Sequence, residues 1–251
     1  INDLKNPDFL LIGEQSLNAG NAHIRIMKSI ISNKEVPIRR MSIESAEMAK
    51  ISINAYITSK ISFANAIGIA CEKIENCSSE DVLAAIGSDS RIGKKYLSKG
   101  LGFGGPCFPR DNRAIQQVIN KSSINYSIPI SNDAFNRKIP DFYSEKFKYI
   151  CRKNKISTAI LVGISYKDGS FLLEESQSYA IAESLVQNME VFYFDPDVND
   201  LPNKTIKKLP IESLFEEKVL VINCSRDKKK MNAIKNNVYF KSGFIEYDVW
   251  K

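Results

Sequence analysis

Four apolar runs in the last part of the chain constrain its fold more than any other feature. They are "STAILVGISYK" (157–167), "EVFYFDP" (190–196), "KVLVINCS" (218–225) and "GFIEYDVW" (243–250). Each is strand-length and bounded by turn residues. Between them lie segments with helical apolar spacing: "SYAIAESLVQN" (178–188), "IESLF" (211–215) and "MNAIKNN" (231–237). Strands that are apolar throughout must be covered on both faces, and alternation with helices supplies that cover. The pattern predicts a doubly wound α/β domain with a parallel sheet from about Lys155 onward. Such sheets bind ligands at the carboxyl ends of their strands, where Lys167, Asp195 and Cys224 stand.

The preceding residues read differently. In the first forty, "DFLLIG" (8–13) and "VPIRRMSI" (36–43) are strand candidates around a helix at "AHIRIMKSII" (22–31), with Pro37 suited to a sheet edge. A long helix is predicted from Ser45, as its cap, to Lys73. Its apolar residues leave few polar faces, which predicts burial nearly all round. Lys50 and Asn54 are four apart and share one face, and a buried Lys50 would need a partner. "SSEDVLAAIG" (78–87) reads as a helix capped by Ser78 or Ser79, and "RIGKKYLSKG" (91–100) as helical and basic. "RAIQQVIN" (113–120) reads as helical, and one or two more helices follow before Lys155.

The 251 residues carry a net charge of +6, five cysteines and a single histidine. The basic residues are scattered, Lys228 to Lys230 being the one triple, so an anionic small molecule accounts for the charge better than nucleic acid does. His23 lies in a polar, surface-like stretch. The cysteines have no metal-ligand spacing, no apolar run reaches membrane-spanning length and no signal peptide opens the chain. These features predict a cytoplasmic protein with reduced thiols, no bound metal and no membrane partner.

"GLGFGGPCFPRDN" (100–112) carries the chemistry. It lacks the Lys-Ser/Thr of a phosphate loop, and "RIGKKYLSKG" before it is no strand, so it is not a dinucleotide fingerprint. Its glycines let a backbone approach a ligand closely and offer N–H donors. Cys107 at its end is either a buried structural thiol or a nucleophile, the latter if cations such as Arg110 or Lys50 act on it. Asp111 could orient water.

The stretch resembles the catalytic loop of the UDP-glucose/GDP-mannose dehydrogenase family, Gly-Phe-Gly-Gly-x-Cys-x-x-Lys-Asp. "SAEMAKISINAYITSKISFANAI" (45–67), "GSDSRIGKKYL" (87–97), "LVGISYK" (161–167) with "EES", and "FDP" (194–196) are similar to further family segments, in the same order. The resemblance implies oxidation of a nucleotide-sugar alcohol at C6 to a carboxylate, with two NAD used in succession. Cys107 would be the nucleophile, passing through a thiohemiacetal and a thioester. Lys50, Asn54 and Asp111 would assist proton transfer, oxyanion stabilisation and hydrolysis. Tyr96, Leu101, Gly102, Phe103, Gly104 and Gly105 would wrap the sugar and diphosphate. Arg91 would reach the substrate from a neighbouring subunit. Lys167 would bind near substrate and cofactor phosphates, with Cys107 also facing the cofactor. The long helix would form the core of a homodimer.

The likeness implies four segments: 1–43 the remnant of an NAD-binding domain, 44–138 a helical substrate and dimerisation domain, 139–154 a connecting helix, and 155–251 a UDP-binding Rossmann-like domain. The NAD site would lie mostly in a domain preceding this chain, because the family's Gly-x-Gly-x-x-Gly and Asn-Pro-Glu segments are absent. Three further departures stand out: Glu174 occupies a family Arg position, Arg110 replaces Lys, and Pro106 replaces a small residue. They leave a second reading open, a nucleotide-sugar-binding dimer without catalysis. A UDP-sugar is the expected substrate class, with UDP-glucose ahead of UDP-N-acetylhexosamines and GDP-mannose.

Overall fold

The computed structural model describes residues 2–122, 124 and 126–251. The chain divides into two compact units, Ile1–Ala55 and Tyr56–Lys251. In the first, α1 (Asn2–Lys5) precedes β1 (Leu10–Gly13), α2 (Leu17–Ile30) and β2 (Ile38–Met41). The two strands pair in parallel, Leu10 opposite Ile38. Ser16 caps α2 by accepting from the Ala19 amide, and Leu10, Ile31 and Val36 form a small core. His23 is exposed on α2.

Helix α3 (Ile43–Cys71) begins in the first unit and ends in the second. Its start differs from expectation. Ser42, not Ser45, accepts the amide of the first turn, because the Ser45 N–H points back to Ser42 Oγ at 3.2 Å. Nor is the helix buried all round. Lys50 is exposed and Asn54 half-buried. Tyr56 and Phe63 are 66% and 47% exposed, whereas Thr58, Ser62 and Asn65 are buried. Its buried stripe is therefore partly polar and its exposed stripe partly aromatic, the reverse of an ordinary surface helix.

The second unit continues with α4 (Ser79–Ser88), α5 (Phe108–Ile119), α6 (Ile128–Asn136) and α7 (Ile139–Asn154). Ser78 caps α4 by accepting from the Asp81 amide. Residues 91–100 form successive turns, not a helix. Positive-φ residues at Gly93, Tyr96 and Gly100 interrupt the segment, and such backbone breaks a right-handed helix.

Then come β3 (Thr158–Val162), α8 (Gln177–Leu185), β4 (Glu190–Phe194), β5 (Lys207–Lys208), β6 (Leu214–Phe215), β7 (Val219–Asn223), α9 (Lys228–Asn237), β8 (Tyr239–Phe240) and β9 (Phe244–Asp248). Five strands form one parallel sheet in the order β5-β4-β3-β7-β9. Alternate residues of the central strands point to opposite faces. Ala159, Leu161, Leu220 and Ile222 pack with Tyr143 and Phe147 of α7 and Ile181 and Leu185 of α8. Ile160, Val162, Val219 and Val221 pack with Met231 and Ile234 of α9. The sheet is thus doubly wound. The helix expected at 211–215 is absent: Leu214 and Phe215 pair in parallel with Tyr239 and Phe240. Apolar residues at 211, 214 and 215 fit helical spacing, but the stacked Phe215 and Phe240 rings, 5.8 Å apart, draw the segment into a bridge. No helix among the described residues is long and apolar enough to cross a membrane.

Candidate nucleotide-sugar site

Chain order reverses between β3 and β7: from β3 the chain winds outward through α8 to β4, and from β7 through α9 to β9 on the other side. The carboxyl ends of these two strands are where a doubly wound sheet leaves a crevice. A cavity of about 740 Å³ opens there, walled on one side by residues 101–104 and on the other by Tyr166, Lys167, Arg226 and Trp250. A smaller cavity of about 150 Å³ continues it toward Gly163, Gln177 and Cys224.

The first wall is held rigid by side chains on its far side. The Gly100 amide donates to Asn65 Oδ1 at 2.8 Å. Asn136 brackets Phe103, accepting its N–H and donating to its carbonyl, both at 2.8 Å. The Gly105 amide donates to the Glu174 carbonyl at 2.9 Å. Lys99, just before the loop, is buried and pairs with Glu72, which also pairs with Lys146 at 2.7 Å. Burial would raise the Glu72 carboxyl, but the two lysines outweigh it and hold it below the usual carboxylate range.

The amides of Gly100, Phe103 and Gly105 are therefore spent inside the protein, so that of the three glycines expected to offer N–H donors, Gly102, Gly104 and Gly105, the last is taken up by Glu174. Gly100 and Gly105 act through the absence of a side chain. A Cβ on Gly100 would overlap the Trp250 ring, and one on Gly105, whose φ is +78°, would overlap the Tyr166 ring.

The second wall presents charge. Four lysine and arginine side chains line the larger cavity: Lys94, Lys95, Lys167 and Arg226. None of the described residues lining it is acidic. The Arg226 guanidinium lies 4.1 Å from the centre of the Trp250 ring, and its Nη2 donates to Ser98 Oγ at 2.8 Å. Its partial burial lowers the guanidinium from its ordinary value, against the opposing charge of Asp168. The Lys167 ammonium lies 5.4 Å from the Tyr166 ring centre.

Cys107 stands where the glycine loop runs into α5. It is exposed, not a buried structural thiol. It occupies the N-cap position of α5 without forming a side-chain cap, at the positive end of the helix dipole. Asp111, 2% exposed, pairs with Arg110 at 3.0 Å, and its amide donates to the Cys107 carbonyl at 2.9 Å. The Arg110 guanidinium is raised above its ordinary value, first by the hydrogen bond to Asp111 and, more weakly, by the charges of Cys107 and Glu174. Asn112 ties α5 to α3, donating to Thr58 Oγ1 at 2.9 Å.

A comparison with known proteins bears directly on this loop. Residues 44–138 match the family model described as UDP-glucose/GDP-mannose dehydrogenase family, central domain.

Residues 44–138 are a central domain of the UDP-glucose/GDP-mannose dehydrogenase family.

Among curated relatives of this chain, the UDP-glucose 6-dehydrogenase AglM of Haloferax volcanii is 29% identical over 203 residues, which are 78% of this chain and 46% of that protein. The UDP-glucose 6-dehydrogenase TuaD of Bacillus subtilis is 29% identical over 197 residues, 78% of this chain and 42% of that protein. The chain thus spans under half the length of these curated relatives. In three dimensions, a UDP-glucose dehydrogenase from the hyperthermophilic archaeon Pyrobaculum islandicum superposes with a TM-score of 0.83, covering all of this chain and 57% of that one at 21% identity. That likeness carries the fold.

Within this family domain and the sheet that follows it, the expected site residues divide into four groups. Tyr96, Leu101, Gly102, Phe103, Gly104 and Lys167 line the cavity. Gly105, Cys107 and Asp111 lie along the continuation of the loop into α5. Arg91 lies outside the cavity lining, exposed and folded onto Asp89 in a pair at 2.7 Å. Lys50 and Asn54 belong to the first unit, one turn apart on α3.

Arg226 and Trp250 were not anticipated from the sequence. Arg226 follows the carboxyl end of β7 as Lys167 follows that of β3, and that shared position was the available signal. No group of three or more His, Cys, Asp or Glu among the described residues is arranged to hold a metal.

Proposed function

We propose that the chain is the substrate-binding part of an NAD-dependent nucleotide-sugar dehydrogenase that oxidises the sugar C6 alcohol to a carboxylate, UDP-glucose being the first substrate to test. The observation that carries this is the cavity: four cationic side chains, no acidic one among the described lining residues, and aromatic rings beside a glycine wall. Its volume, about 740 Å³, falls in the roughly 300–1,000 Å³ range of small-molecule sites. Cations suit a diphosphate, ring faces suit a base or sugar, and glycines allow close approach.

Cys107 suits the chemistry because it is exposed, next to Arg110 and at a helix N-terminus. In this reading its thiolate adds to the C6 aldehyde, holding it as a thiohemiacetal, and after oxidation as a thioester that water hydrolyses. Asp111 orients the water. NAD, when bound, supplies the hydride acceptor; Lys167 and the exposed Cys107 fit the edge of such a site, a cation for phosphate and a thiol open to a second reactant. Arg91 reaches a neighbouring subunit's substrate. The exposed Tyr56 and Phe63 of α3 lie in a homodimer interface. Reduced cysteines fit a cytoplasmic setting.

Calorimetry of the chain with UDP-glucose, UDP-N-acetylhexosamines and GDP-mannose tests the binding half; absence of heat with all three sinks it. NADH formation by protein that also carries the NAD-binding part tests the chemistry. Cys107→Ser is expected to cut acid formation by a factor on the order of a thousand while leaving nucleotide-sugar binding. Wild-type protein that binds but never turns over would select the second reading, a binding dimer without catalysis, which Glu174 favours. Tyr56→Asp with Phe63→Asp is expected to halve the mass measured by light scattering.

A further inference from the structure

Lys230 is the last of three consecutive lysines, a pattern that by itself suits a solvated face. It is instead 5% exposed, on the first turn of α9, while Lys228 and Lys229 remain exposed. Its ammonium lies 2.7 Å from Asp195 Oδ1, 3.2 Å from Asp168 Oδ1 and 3.5 Å from Asp197 Oδ2. Three carboxylates from the ends of two strands thus converge on one cation.

Each carboxylate also holds a loop. Asp195, fully buried, accepts the amides of Ile164 and Ser165 at 2.9 and 3.2 Å. Asp168 accepts the Ser225 hydroxyl at 2.5 Å and the amides of Arg226 and Asp227 at 2.9 and 3.2 Å. Asp197 accepts the Gly169 amide at 3.2 Å. The loops fixed in this way are those that carry Lys167 and Arg226 into the cavity. Arg226 is further aligned by Trp250 and Ser98.

We propose that Lys230 is a positioning residue: it neutralises the mutual repulsion of Asp168, Asp195 and Asp197 and so fixes the spacing of Lys167 and Arg226, which sets the cavity's preference for a diphosphate over a neutral nucleoside. This rests on the reading of the cavity as a nucleotide-sugar site. Lys230 itself is too buried to touch a ligand. Without its ammonium, three carboxylates would face one another across a few ångströms, and the two loops would part.

The test is calorimetric binding of UDP and of uridine to the full chain, with circular dichroism to verify folding. Wild type is expected to prefer UDP. In Lys230→Met the preference for UDP over uridine falls about tenfold, the equivalent of one charge-assisted hydrogen bond, and Lys230→Arg restores most of it. Asp168→Asn keeps the buried Lys230–Asp195 pair and releases only the Arg226 loop; it is expected to narrow the same preference, and it decides the matter if Lys230→Met does not fold. A purely structural role would lower the melting temperature and leave the UDP-to-uridine ratio unchanged in folded variants. That result overturns the inference and spares the site. Wild type that binds neither UDP nor a nucleotide sugar overturns both.

Discussion

Residues 100–105 shape the cavity with backbone, whereas residues 164–168 and 225–227 shape it with long charged side chains held from behind. The first wall is fixed by short-range features. Its glycines lie against the Tyr166 and Trp250 rings, and Asn65, Asn136 and the Glu174 carbonyl take up its amides. The second wall is fixed by one buried ion cluster, Lys230 with three aspartates. A backbone wall tolerates no added atom but needs no charge balance. A side-chain wall tolerates substitution at its tips but depends on its counter-charges. The difference separates what stability and binding experiments will see.

The largest effect should come from thickening the backbone wall. Gly105→Ala is expected to lose about 2–4 kcal/mol of stability, the sum of overpacking at roughly 1–3 kcal/mol and a left-handed residue at roughly 1 kcal/mol. Denaturant unfolding measures it; a loss under half a kilocalorie would mean that the Tyr166 ring yields freely and that the wall is not rigid.

Trimming the other wall should show the opposite profile. Arg226→Ala and Lys167→Ala are each expected to weaken nucleotide-sugar binding about 10- to 100-fold while changing stability by no more than about 0.5 kcal/mol. Equal losses of binding and stability in Arg226→Ala would erase the distinction between the walls.

Acid should act on the charged wall first. Burial alone would raise Asp195 and Asp168, but Lys230 and the loop amides hold both below their ordinary value of 3.8. A carboxyl depressed in the folded state binds fewer protons there than in the unfolded chain. Its stabilisation is therefore complete above the unfolded value and is lost as pH falls through the folded one. Stability should stay flat for these groups down to about pH 4 and decline below it, with a shallower decline in Asp168→Asn. A decline setting in near neutrality would point to other groups.

The smallest effect distinguishes the thiols. Burial pushes Cys151 up to about 11 and Cys224 further still, whereas Cys107 is exposed. Brief iodoacetamide treatment should label Cys107 ahead of both, as read by peptide mass. Faster labelling of Cys224 would mean that the sheet end opens.

Much of this was legible in the residues. Ala159 to Val162 and Val219 to Ile222 are apolar without a break, and a strand of that kind is buried on both faces wherever it occurs. The helix at 79–88 carried its own cap. Segment 211–215 was misread because a two-residue bridge depends on Tyr239 and Phe240, far along the chain. The start of α3 was misplaced because Ser42 and Ser45 are equal cap candidates until the backbone turns. The basic stretch 91–100 looked helical, yet residues of opposite backbone hand at Gly93 and Tyr96 break it.

By itself the sequence determined the doubly wound sheet, the glycine loop and the thiol that ends it. Each follows from periodicity or spacing within a few residues, and local chemistry enforces such features wherever the segment lies. Only the tertiary structure decided that Arg226 stacks on Trp250, that the Gly100, Phe103 and Gly105 amides are spent on Asn65, Asn136 and Glu174, and that one of three adjacent lysines is buried among aspartates. Those facts depend on which distant segments meet, and a lysine reads as a solvated charge until the carboxylates that surround it are brought in by the fold.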